Sequence, residues 1–132
     1  MSLSISKCFV QVTDVDAAVA FYTGALGLEV QLDVPNGEFR WVTVVPPDQP
    51  DVAIILSNYV EGSDADRSAV AGLVAKGVFG GVHFRSTDLE ATFARLVEHG
   101  AEVVDEPADQ PWGVRDGSVR DPSGNLIRID QA

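Results

Sequence analysis

The apolar and polar positions of the chain fall into two phrases that nearly repeat one another. Residues 9–30 read FVQVTDVDAAVAFYTGALGLEV and residues 82–103 read VHFRSTDLEATFARLVEHGAEV. In each, an alternating segment of strand character ends in Thr-Asp, an Ala-rich stretch with helical spacing follows, and Gly-x-Glu-Val closes the phrase. Setting Asp14 on Asp88 aligns Val15 with Leu89, Ala17 with Ala91, Val19 with Phe93 and Ala20 with Ala94. One residue then drops out, and Gly27 to Val30 lies on Gly100 to Val103. The helix punctuation recurs too. Thr87-Asp88-Leu89-Glu90 has the form of a capping box with Thr87 as the cap, and Thr13-Asp14-Val15-Asp16 is a shorter-armed counterpart. Gly27 and Gly100 stand where a helix stops on a left-handed residue. Farther on, Gly37 matches Gly113 and Pro46 matches Pro122.

The repeat predicts an α+β fold of two βαβββ modules, residues 5–58 and 80–130, within a single domain spanning 1–132. Strands are expected at about 5–12, 28–34, 39–46 and 52–58, then at about 80–86, 101–105, 113–120 and 125–130. Between the modules, SDADRSAVAGLVAKG reads as a connecting helix over 63–77 that stops at Gly77. Each sheet is expected to curl into a half-barrel with its helix on the outer face.

Side chains alternate across a strand, so each strand sorts by parity. Cys8, Val10 and Val12 oppose Lys7, Phe9 and Gln11. Ile54 and Leu56 oppose Ile55 and Ser57. Val82 and Phe84 oppose Gly81, His83 and Arg85, and Ile127 and Ile129 oppose Leu126, Arg128 and Asp130. The first set of each pair belongs under the helices, which offer Val15, Val19, Tyr22 and Leu26, then Leu89, Phe93 and Leu96. On this sorting Cys8 is a buried structural thiol. The second sets line a concave surface where a ligand has room.

Composition narrows the function. The 132 residues are 45% hydrophobic and 22% charged, as in an ordinary globular domain. The net charge of −11 argues against nucleic acid as a partner. No apolar run reaches the roughly 18 residues that would span a membrane, and the start MSLSISK lacks the pattern of a secretory signal. One cysteine forms no internal disulfide framework and suits a reducing cytoplasm. Only nine basic residues are present, so it matters that Lys7, Arg85 and Arg128 fall on the concave side of three strands. Either they welcome an anionic ligand or nearby carboxylates such as Asp130 neutralise them.

VTDVDAAVAFYTGALG (12–27) and RDPSGNLIRI (120–129), on top of the duplication, resemble the vicinal-oxygen-chelate superfamily. That group holds glyoxalases, bleomycin- and fosfomycin-resistance proteins and extradiol dioxygenases. The resemblance covers essentially the whole chain. It implies homodimers, because relatives often complete their cups by pairing chains. In the metalloenzymes of the group, one ligand to a divalent cation comes from each of the first, fourth, fifth and eighth strands. Carried over, these positions fall on Lys7, Ile55, Gly81 and Arg128, and none of the four side chains offers a lone pair to a metal. The resemblance therefore implies a cup without a metal or other cofactor and a protein that binds a small organic molecule, which the converging cations and the aromatic residues make anionic or aromatic.

The expected ligand contacts are Lys7, Phe9, Gln11, Arg40, Ile55, His83, Arg85, Trp112, Arg128 and Asp130. Trp112 and Arg40 enter their strands at related places and are expected at the rim, whereas Trp41 is expected to fill the core between helix and sheet. Tyr59 lies just beyond the fourth strand. The alternative function is a glyoxalase-like lyase or dioxygenase with a displaced metal at His83 and Asp130. His83, oriented by Asp130, is the candidate for general acid–base chemistry. A third possibility is a vestigial pocket and a protein that acts through its surface.

Overall fold

A computed structural model describes residues 2–132. The first module runs β1 (Lys7–Gln11), α1 (Val15–Ala20) with a π-helical turn (Phe21–Ala25), β2 (Glu29–Asn36), β3 (Phe39–Val45) and β4 (Ala53–Ser57). Helix α2 (Asp64–Ala75) connects it to β5 (Gly81–Ser86), α3 (Leu89–Glu98), β6 (Glu102–Asp109), β7 (Arg115–Arg120) and β8 (Leu126–Gln131). The strands form two mixed sheets, ordered β1-β4-β3-β2 and β5-β8-β7-β6. In each the first strand runs parallel to the fourth and the other pairs are antiparallel. Neither sheet closes into a barrel, and β1 and β5 each present a free edge.

The duplication reaches into the irregularities. Pairing of β2 with β3 slips between Val30 and Leu32, and pairing of β6 with β7 slips between Val103 and Asp105. Val30 and Val103 are repeat equivalents, so both modules share a bulge at this place, and β6 slips a second time between Asp105 and Ala108. One residue more separates Asp14 from Gly27 than Asp88 from Gly100, and the π-helical turn absorbs it. Both helices stop as expected, on Gly27 at φ 76° and Gly100 at φ 79°.

The N-caps differ from expectation by one residue. Asp14 and Asp88, not the threonines before them, accept the capping bonds from the Ala17 and Ala91 amides, each at 3.0 Å. An aspartate already in place satisfies the orphan N–H, which leaves Thr87 no capping role. A full capping box instead opens α2, between Ser63 and Asp66.

The helices and the strand faces turned toward them meet in one core. Val10, Val12, Val42, Val44 and Leu56 from the first sheet join Val15, Ala18 and Tyr22 of the first helix. Leu89, Phe93, Leu96, Val119, Ile127 and Ile129 continue it into the second module. This shared burial leaves the opposite sheet faces outside the core. Cys8 is a correction: it lies at the open start of β1, beyond the reach of α1, and is exposed rather than buried.

Candidate functional site

Strand register assembles the outward faces into transverse rows. On the first sheet, Phe9, Ile55, Thr43 and Leu32 sit side by side across four strands, and Gln11, Ser57, Trp41 and Val34 form the next row. On the second sheet the equivalent rows are His83, Arg128, Ser118 and Asp105, then Arg85, Asp130, Asp116 and Ala108. The backbone frame is the same and the chemistry is opposite. The first wall is apolar, with Phe9 58% and Leu32 57% exposed, and Trp41 packs its ring 5.4 Å from that of Tyr59. The second wall is polar and charged.

The polar wall is organised around Asp116, which is only 2% exposed. Its carboxylate accepts from Gln110 Nε2 at 2.8 Å and from Arg128 Nη1 at 3.2 Å. Arg128 also reaches Asp105 at 3.4 Å, and Asp105 accepts from Ser118 Oγ at 2.7 Å. His83, Asp105, Gln110, Trp112, Val114, Asp116, Arg128 and Asp130 line a cavity of about 530 Å³. That lining takes no residue from the first sheet.

The expected site residues therefore separate into two groups. Lys7, Phe9, Gln11 and Ile55 stand on the first sheet, and His83, Arg85, Arg128 and Asp130 on the second, with Trp112 in the loop beside it. The Gln11 amide is committed to the Tyr59 carbonyl at 2.7 Å. Arg40 belongs to neither group. Its parity matches Val42 and Val44, so its guanidinium turns to the helix side and pairs with Asp16 and Asp33. The hydrogen bond from Arg40 holds the exposed Asp33 carboxyl below the usual carboxylate range. Trp41 is the converse correction: it lies half-buried on the concave wall rather than in the core.

Lys7 and Arg85 have no carboxylate within ion-pair distance among the described residues, whereas Arg128 has two. The three cations are thus not equivalent, and the charge on Arg128 is neutralised in place. Leu32, Val34, Thr43, Asp105, Gln110, Asp116 and Ser118 are wall residues absent from the sequence expectation, and Trp41 stands on the face opposite to the expected one. The bulge at residue 31 inverts the parity of the strand after it, and β6 runs four residues past its expected end.

The metal-holding positions do not fit a metal. Lys7, Ile55, Gly81 and Arg128 supply no donor, and a Cβ built at Gly81 would run into the Leu126 carbonyl oxygen. That corner has no room for a ligating side chain unless the backbone shifts. Nor do three His, Cys, Asp or Glu side chains converge as a metal site anywhere among the described residues.

A larger hollow, about 760 Å³, lies at the seam between the modules and is lined by Ala17, Phe21, His99, Arg120 and Asp121 among others. Its polar groups already have partners. Glu102 pairs with Arg120 at 3.2 Å, and Asp121 accepts the hydroxyl of Tyr22 at 2.8 Å together with three backbone amides. The concave walls are therefore the better candidate for recognition. Among the described residues no helix is long and apolar enough to cross a membrane.

Known proteins share this arrangement. An uncharacterized protein of Bacillus subtilis (strain 168), YurT, is 34% identical over 131 residues, 99% of each chain. The crystal structure of UcmS2 superposes with a TM-score of 0.88 at 36% identity over the whole of both chains. That of TnmS3, described as an antibiotic binding protein from Streptomyces sp. CB03234, gives 0.76 at 30% identity, covering 99% of this chain and 98% of the other. The sequence profile of one family matches residues 4–129. With its repeated modules, paired walls and near full-length relatives, the chain belongs to the glyoxalase/bleomycin resistance protein/dioxygenase superfamily.

Proposed function

We propose that this protein binds a small organic molecule with an aromatic body, without a metal ion, in a cup that joins an apolar wall to a polar one. The observation that carries this is the pair of equivalent rows, Phe9-Ile55-Thr43-Leu32 and His83-Arg128-Ser118-Asp105. An apolar row beside Trp41 and Tyr59 suits an aromatic body, while the second row supplies fixed donors and acceptors that orient it. The antibiotic-binding description of TnmS3 favours the same reading. Of the two ligand characters that the sequence suggests, the aromatic one is retained. The anionic one loses support because two aspartates already neutralise Arg128.

Each chain presents both walls outward and leaves the β1 and β5 edges free. A homodimer that sets the first sheet of one copy against the second sheet of the other completes two such cups. The exposed Cys8 thiol fits a reducing cytoplasm. Titration of the purified protein with a panel of planar aromatic compounds, followed by tryptophan fluorescence and thermal shift, tests this function. Saturable stabilisation that survives EDTA is expected. Binding or turnover that appears only with an added divalent metal would overturn it in favour of a lyase or dioxygenase.

A further inference from the structure

We infer that the cavity on the second sheet recognises a protonated amine on the ligand, held by Asp130 and Trp112; the inference rests on the small-molecule function proposed above. Three aspartates and one arginine line that cavity, with His83 as its other titratable group. The carboxylates are not alike. Asp116 is filled by Gln110 and Arg128, and Asp105 by Ser118 and Arg128. Asp130 is half-buried and takes part in no ion pair among the described residues, although Arg85 stands opposite it on β5.

Asp130 also stands opposite Asp116 on β7. Like charges directly across a strand pair destabilise it, and Arg128 spends its two ion pairs on Asp116 and Asp105. Even with Arg85 beside Asp130 on β5, the three carboxylates outnumber the two guanidinium groups, and the lining keeps excess negative charge that a bound cation would relieve. A metal ion does not answer to it, because the carboxylates do not converge as a metal site. An organic ammonium does: it needs one carboxylate and an aromatic face. Trp112, 69% exposed, provides that face in the same cavity. A cation over indole gains most where a carboxylate shares its desolvation. Lys7, on the other sheet, is outside the lining.

Three probes that share an aromatic body test this: naphthylmethylamine, naphthylmethanol and naphthylacetate, titrated by calorimetry into the wild-type protein. The amine is expected to bind about tenfold more tightly than the alcohol, and the acetate more weakly than either. Asp130→Asn is expected to erase the preference for the amine, lowering its affinity about tenfold toward that of the alcohol. Trp112→Leu, at an exposed position with little bearing on folding, is expected to weaken the amine more than the alcohol. Alcohol or acetate binding as tightly as the amine, or an Asp130→Asn protein that keeps the preference, overturns the inference and leaves small-molecule binding standing. No binding by any of the three overturns both.

Discussion

Tyr22 and Asp121 belong to the two motifs that mark the family resemblance, and their work in this chain is to fasten one module to the other. The Tyr22 hydroxyl donates to Asp121 Oδ2 at 2.8 Å across 99 positions of sequence. The other oxygen of Asp121 gathers the amides of Ser123, Gly124 and Asn125, and Asn125 Nδ2 donates in turn to the Gln11 carbonyl of β1 at 2.7 Å. Burial first, and then the Asp121 carboxylate, push the Tyr22 phenol well above its usual range, so it remains a donor. Tyr22→Phe keeps the ring volume and removes one donor from a buried carboxylate. It is expected to cost about 1–3 kcal/mol, read as a fall in Tm of roughly 3–10 °C with ligand affinity unchanged. An unaltered Tm would show that the bond contributes nothing. Both motifs were legible in the sequence, but the bond was not: nothing local to either residue points to a partner so far along the chain.

At the scale of elements, the repeat made the order of strands and helices legible, because a βαβββ unit said twice checks itself. Boundaries held within a few residues except in β6, whose Glu106-Pro107-Ala108-Asp109 lacks a β-former's composition and is kept extended by pairing with β7. Face assignments held wherever strands run straight, as for β1, β4, β5 and β8. Arg40 and Trp41 on β3 lie on the faces opposite to those expected, and on β2 and β6 one extra residue swaps the faces of everything beyond the bulge, so simple alternation does not read those strands. The π-helical turn is the same event in a helix. Through Tyr22 and Leu96 the two helices align without a gap, and the surplus residue falls between Tyr22 and Gly27. Deleting Thr23 is therefore expected to turn the π-helical segment into the regular form of α3. The buried positions up to Tyr22 and the stop at Gly27 stay as they are. Far-UV circular dichroism should be unchanged and the stability loss should stay below about 3 kcal/mol. A deletion variant that fails to fold would mean that the wider turn is required for packing rather than tolerated.

For the molecule as a whole, duplication fixed a frame and the two copies then diverged in what they carry on it. Phe9 answers to His83, Ile55 to Arg128, Thr43 to Ser118 and Leu32 to Asp105, so each apolar or uncharged position of one wall meets a polar one in the other. The shared helical core joins the modules and leaves Phe9, Leu32 and Val34 of the first wall uncovered within a single chain. Phe9 on β1 and Leu32 and Val34 on β2 are exposed at the two edges of the sheet, flanking Ile55 and Thr43, which are each 8% exposed, and large apolar side chains held open on both rims of one wall suit an association or ligand surface. A second copy can cover it with its polar wall and complete the cup, in which case association and ligand binding share one surface. Phe9→Asp tests the coupling. The side chain is 58% exposed, so the fold of the single chain should change in stability by no more than about 0.5 kcal/mol, while a carboxylate at the β1 end of the apolar row should oppose pairing along that edge and disturb the seat of the aromatic body. Light scattering after size exclusion is expected to give a dimer for the wild-type protein and a single chain for the variant, and calorimetry to give at least about tenfold weaker binding of naphthylmethylamine. A wild-type protein that runs as a single chain and still binds the amine would place the whole site on one copy, and a dimeric variant with intact affinity would move both the interface and the aromatic seat away from β1.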